Sequence, residues 1–352
     1  MRLPRSVVNW GLACLLGPLN GLAASNPTQH PVPESPQWVT YSGKAGPGEG
    51  KHLILIAADQ EYRSEQSMPM LAKILSEHHG FHTTVLFGIN QDGLVDPTLP
   101  VYPEKGREKA FKTHNIPGLR HLKSADLVLF FTRLLTLPEE QQQWIVDYLD
   151  SGKPIIGLRT ANHGFRLPLP YRIEGMPVRI GTLLGGTFRS HHGNWHRDST
   201  RGDIIDAMKD HPILKGVTDI WGPSDVYRTY PEGEQLPADC TALVLGQPLI
   251  GREYGSRSNP SKISLPIAWF KTWRTSRGDD ARVFQSTMGS ARDFQSEGLR
   301  RLIVNAVYWG LEMDDHILAT RSVDYVGEYA PLESGFNYSK IGVTPRPPAF
   351  YR

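Results

Sequence analysis

Apolar runs and turn-forming residues alternate along much of the chain. The run His52-Leu-Ile-Leu-Ile-Ala-Ala58 is apolar after its first residue and stops at Asp59, the pattern of a strand buried on both faces. The segment that follows carries Met70, Leu71, Ile74 and Leu75 at helical spacing, with Ser67 as a start signal and Gly80 as a stop. Residues 82–87 supply a second strand. Residues 89–122 are rich in turn formers without a period, so they read as an excursion above the sheet. The alternation then resumes with an apolar strand over 125–131. Next come a helix presenting Trp144, Ile145, Tyr148 and Leu149, a stop at Gly152, and a strand over 154–158. Three successive β-α units predict an α/β fold with a doubly wound, mostly parallel sheet in a three-layer α/β/α arrangement.

Beyond residue 163 the pattern loosens. Residues 164–203 are rich in Gly, Arg and His with no clear period. Short strands are predicted over 240–245, 267–270 and 282–284, and Leu299, Leu302, Ile303, Ala306 and Val307 mark a closing helix over 298–310. The organisation expected is therefore a signal peptide over 1–24, a flexible leader over 25–50, one α/β domain over 51–312, and a Pro- and Tyr-rich C-terminal tail over 313–352 that wraps the outside. The signal peptide rests on Arg2 and Arg5, an apolar stretch over 7–16, and the small residues Gly21, Ala23 and Ala24. It predicts export to the periplasm or the medium.

The leader changes what composition says. The full chain has 38 Lys+Arg against 36 Asp+Glu, and Arg2 and Arg5 account for the difference. Losing the leader makes the chain formally neutral and removes Cys14, leaving Cys240 with no disulfide partner. A neutral chain without a basic run lacks the electrostatic footprint of a nucleic-acid binder. The one long apolar stretch is the leader itself, broken by Asn9, Gly17, Pro18 and Asn20, so no membrane span is expected in the mature chain. The partner that remains is a small molecule.

In parallel sheets ligands bind beyond the carboxyl ends of the strands. One such end offers Asp59, Glu61 and Arg63, in which Glu61 or Asp59 would serve as acid or base and Arg63 would clamp a hydroxyl or an oxyanion. Acidic residues at a helix start also stabilise the helix itself, the plainer reading. The other ends offer Arg133, Arg159 and His163 as substrate-binding groups. Five of the thirteen histidines fall between 163 and 211, densest in His191-His192-Gly-Asn-Trp-His196. If that stretch is a loop, His191, His192 and His196 could converge on a divalent metal, zinc being the natural candidate, with His192 catalytic. Their spacing matches no established zinc pattern, and hydrogen bonding to a substrate is the alternative. Trp195 could stack on a sugar ring, and Asp225 and Tyr227 could line the pocket from the opposite side. Gly289 and the amides around it could form an anion-binding nest. Cys240 heads a core strand, where a structural thiol is expected.

The turn after Gly157-Leu158 resembles the strand-to-helix elbow of class I glutamine amidotransferases, in which a cysteine nucleophile occupies the position held here by Arg159. Thiolate chemistry at this elbow is excluded. From about 51 to 330 the chain is similar to the ThuA-like, trehalose-utilisation family. The likeness is carried by Glu61-Tyr-Arg-Ser-Glu65, Phe131-Thr-Arg133, Gly157-Leu-Arg-Thr160, Ser199-Thr-Arg-Gly202, Asp210-His-Pro-Ile-Leu-Lys-Gly-Val217, Trp221-Gly-Pro-Ser-Asp-Val-Tyr227, Leu265-Pro-Ile-Ala-Trp269 and Arg282-Val-Phe284. The resemblance implies a flavodoxin-like, class I glutamine amidotransferase-like fold, a link to carbohydrate catabolism and no glutaminase activity. Family members carry His-His-Gly-His-His-Gly where this chain has Asn194 and Trp195 after the first glycine. The function expected is that of an exported protein acting on a sugar, keto-sugar or glycoside as a hydrolase, lyase or isomerase. A non-catalytic carbohydrate-binding protein is the alternative, and a scaffold for other exported glycan enzymes, resting on the tail, is a third.

Overall fold

The computed structural model describes Met1 and residues 29–352. The expected signal peptide lies outside the described residues except for Met1. Ten strands form the main sheet: β1 (Trp38–Tyr41), β2 (His52–Ala58), β3 (His82–Phe87), β4 (Leu127–Thr132), β5 (Ile155–Leu158), β6 (Asp198–Ile204), β7 (Ile220–Gly222), β8 (Cys240–Ile250), β9 (Leu265–Arg274) and β10 (Asp280–Ser286). Their spatial order is β1-β3-β2-β4-β5-β10-β9-β8-β6-β7. From β3 to β10 the neighbours are parallel, with Leu55 opposite Leu129 and Phe284 opposite Ile156. The expected doubly wound parallel core is thus present, and antiparallel strands extend it on both sides.

Alternation along the strands divides the apolar residues between two cores. On β2, Leu53, Leu55 and Ala57 join one core, with α1 (Ser64–Glu77) and α3 (Glu297–Gly310) packed over it. Ile54, Ile56 and Ala58 join the other, covered by α2 (Glu139–Leu149) and the segment around Leu183. A strand with both faces covered must be apolar at every position, which is why β2, β4 and β5 read as unbroken runs. Each buried Leu, Ile or Phe contributes roughly 1.5–3 kcal/mol.

Three elements depart from the sequence expectation. Part of the expected flexible leader is built into the fold. β1 pairs antiparallel with β3, Val32, Trp38 and Val39 are buried, and Gly43, Gly46 and Gly48 press on His79, Gly80 and Phe81. The polar segment Asp198–Ile204, expected as irregular, is strand β6; its later residues face solvent, so it carries no apolar signature. Helix α1 starts at Ser64, a turn before Ser67, after Arg63 in the left-handed region (φ 62°). Among the described residues no helix is long and apolar enough to cross a membrane.

Candidate functional site

The carboxyl ends of β2, β4, β5 and β10 come together, and two buried polar knots fix their loops. Asp59 is the first. Its Oδ1 accepts the backbone N–H groups of Glu61 (2.7 Å) and Tyr62, and its Oδ2 accepts the Thr160 hydroxyl (2.7 Å), which ties the turn after β2 to the turn after β5. Burial raises its pKa; the Arg133 guanidinium opposes the shift and Glu61 adds to it. Asp59 is sealed in and both its oxygens are engaged, so it shapes the site and is not placed to meet a ligand. Arg63 is likewise fully buried, donating to the Gln60 carbonyl (2.6 Å) with Nε 3.6 Å from Glu65. The expected clamp is a wall.

The second knot is Arg159, at the elbow. The turn keeps the constrained backbone of a nucleophile-bearing elbow, with φ 47° at Arg159. The guanidinium points inward and is 0% exposed. Nη1 donates to the carbonyls of Asp225 and Thr287 (2.8 Å each), and Nη2 lies 3.1 Å from Asp225 Oδ1. Its two faces meet the rings of Tyr227 (3.7 Å) and Tyr62 (4.4 Å), a doubled cation–π contact. Arg159 and Tyr227, both expected to bind substrate, hold the floor of the site together. The expected anion nest is also closed, because Asp293 Oδ2 already accepts the amides of Gly289 and Ser290 (3.0 Å each).

Glu61 stands at the centre. Its Oε2 is 3.3 Å from Arg133 Nε, and its Oε1 accepts Trp195 Nε1–H (2.7 Å) and lies 3.7 Å from His196 Nε2. Burial pushes its pKa up, but His196, Arg133 and Trp195 outweigh burial and hold the carboxyl below its ordinary range. It is therefore an anion at neutral pH. Asp225 forms a parallel arrangement. Burial is again outweighed, by His191 and Arg159, so Asp225 stays ionised, and its Oδ2 accepts His191 Nδ1–H at 2.8 Å. Both imidazoles touch the Trp195 indole, His196 at 4.2 Å and His191 at 5.9 Å between ring centroids. Two carboxylate-backed histidines thus adjoin one half-exposed tryptophan. His163 sits behind them against Phe188 (5.0 Å), its Nδ1 bonded to Asn162 Oδ1 (2.7 Å), and burial keeps it neutral.

The three histidines expected to share a metal do not converge. Ser190–His191 is a short strand paired with Tyr227–Arg228, not a loop, so neighbouring side chains diverge. His192 bonds the Ile263 carbonyl (2.8 Å) and the Arg228 guanidinium (3.3 Å), away from His191 and its carboxylate. Among the described residues no group of three or more His, Cys, Asp or Glu is arranged to hold a metal ion. His192, expected to be catalytic, lies away from the site. Cys240 is half-buried with its pKa pushed up to about 12, chiefly by burial, as suits a structural thiol.

The tail supplies what sequence reasoning missed. Gly335 N–H donates to the Glu61 carbonyl (2.8 Å), Tyr338 hydroxyl donates to the Gln60 carbonyl (3.1 Å), and Phe336 packs under Arg133 at 5.0 Å. Phe336 and Trp195, both half-exposed, lie 6.3 Å apart. Residues 331–341 form the far wall of a cleft of about 680 Å³ whose near wall is Trp195 and His196. Aromatic residues in a Pro- and Tyr-rich tail, with one α-helical turn at Tyr338–Ile341, carry no sequence signal of this placement.

The family pattern described as ThuA, trehalose utilisation, matches residues 106–310. Two solved structures with similarity are a ThuA-like protein from Bacteroides uniformis (17% identity, 74% of this chain and 90% of that one, TM-score 0.44) and a ThuA-like protein from Parabacteroides merdae (14% identity, 86% and 99%, TM-score 0.47). No curated protein matches the chain significantly. Since the family pattern spans more than half of its residues, the chain belongs to the ThuA, trehalose-utilisation family.

Proposed function

We propose that the chain is an acid–base enzyme acting on a carbohydrate held in the Trp195–Phe336 cleft. The observation that carries this reading is the half-exposed Trp195 with a carboxylate-backed histidine beside it on either chain neighbourhood, Glu61–His196 and Asp225–His191. Aromatic faces suit the apolar face of a sugar ring. A carboxylate can only accept, so His191 carries its proton on Nδ1 and leaves the Nε2 lone pair free as a base. His196 turns Nε2 toward Glu61 and leaves Nδ1 for the ligand. In this proposal His196, which lines the cleft, exchanges one proton with the sugar. His191, beside Trp195 but outside that lining, exchanges the other with a group of the ligand that reaches past the indole. Each imidazolium is stabilised by its own anion. Arg133 locks Glu61 in place. This supports lyase, isomerase or hydrolase chemistry without a nucleophile from the protein. In this reading the leader takes the protein out of the cytoplasm.

Turnover of a panel of disaccharides and their 3-keto forms tests the reading. Positioned acid–base groups contribute roughly 10²–10⁴-fold, so His196→Ala, His191→Ala and Glu61→Gln should each lower kcat by about a hundredfold or more. Trp195→Ala should raise KM. Variants within about twofold of the parent would remove those residues from the chemistry. Tight binding without product after long incubation would identify a carbohydrate-binding protein instead.

A further inference from the structure

We propose that the cleft selects a saccharide bearing a carboxylate, the uronic-acid class, and that Lys340 is the residue that meets it. This rests on the carbohydrate reading above and adds the charge of the substrate.

Every carboxylate at the cleft is already matched. Glu61 is paired with Arg133 at its base. Glu333, in the far wall, is shared by two guanidiniums, Arg252 (2.8 Å) and Arg292, so that group carries one net positive charge. Lys340 lines the same wall and forms no ion pair among the described residues, which adds a second. Lys340, Arg252 and Glu333 line the same cleft as Trp195, and Arg292 adds its charge through Glu333 from outside the lining. The chain without its leader balances Lys+Arg against Asp+Glu, so this surplus is local and not a reflection of composition. A concave, partly apolar wall concentrates such a field on whatever enters. A neutral sugar would gain nothing from it. A ring stacked on Trp195 with a carboxylate in place of its hydroxymethyl group would gain a charge-assisted contact to Lys340 and the field of the Arg252–Arg292 pair.

Calorimetric titration of methyl glycosides of glucose and galactose, each against its uronide, tests this. The uronides should bind roughly three- to tenfold more tightly at low salt. The advantage should collapse between about 50 mM and about 0.5 M NaCl. Lys340→Gln should remove most of the preference, leaving only the part due to Arg252 and Arg292, without weakening the neutral glycosides, and Lys340→Arg should keep it. Trp195→Ala should weaken both classes. Equal binding of neutral and acidic forms, or a preference undiminished by Lys340→Gln, would overturn the charge assignment and leave the sugar site standing. Binding of neither class, or binding indifferent to Trp195→Ala, would overturn both.

Discussion

Replacing Arg159 is the sharpest test of how the site is held. Arg159→Met keeps an L side chain at φ 47°, so the backbone strain is the same before and after and cancels. What is lost is the partner of Asp225 at 3.1 Å and two donors to buried carbonyls at 2.8 Å. Removing one member of a buried ion pair costs about 3–5 kcal/mol when the other charge is left uncompensated, and the lower end applies here because His191 still supports Asp225 Oδ2. Against a total stability of roughly 5–15 kcal/mol that is a large share. Asp225 Oδ1 loses its guanidinium while Oδ2 keeps His191, so Arg159→Met combined with Asp225→Asn should be more stable than Arg159→Met alone by about 1 kcal/mol or more. Urea unfolding followed by circular dichroism, on the parent, both single variants and the double variant, gives the coupling directly. A single variant within about 1 kcal/mol of the parent, or a double variant no better than Arg159→Met, would refute the view of Arg159 as the bolt of the site.

Two further outcomes follow from the buried groups. His52 and His114 are pushed down to about 4 and His79 to about 3, chiefly by burial. Since these folded-state values lie below the ordinary 6.5, the unfolded chain takes up protons that the folded one refuses, and stability is lost as pH falls from about 6.5 toward 4. By pH 5 each histidine should cost on the order of 1–2 kcal/mol, read as urea midpoints at pH 7.5 and 5; a flat profile would contradict it. Gly298→Ala in the first turn of α3 should destabilise although alanine is the better helix former by about 1 kcal/mol. A Cβ there would lie 1.8 Å from the Thr218 carbonyl oxygen, forcing a backbone shift that costs about 1–3 kcal/mol, and thermal unfolding would show the sign.

What the sequence made legible depended on burial. The run 52–58 is readable because both faces of β2 are covered, and its end located Asp59 and Glu61; 154–158 located Arg159 in the same way. Strands with one solvated face were hidden, β6 by its Arg201, Gly202 and Asp203, and β1 within a Pro- and Gly-rich segment. Types of residue at strand tips could be read, but their direction could not. Arg63 and Arg159 look like ligand-facing cations and are both sealed inside. The density of histidines suggested a shared ion, whereas their carboxylate partners lie 34 positions away for His191 and far upstream, at Glu61, for His196. Such pairings are set by topology, to which local pattern is blind.

The same long separations bear on how the protein assembles. β5 finds β10 only after more than a hundred intervening residues, and the Glu61–Trp195 contact spans 134 positions. Closing contacts of such high sequence separation is slow, because loop entropy is lost before the contact rewards it. The β2–β3–β4 unit, by contrast, joins neighbours in sequence through α1 and one excursion. In refolding, sheet signal should therefore return ahead of the cleft, and the environment of Trp195 marks the moment at which the protein becomes competent, not merely folded.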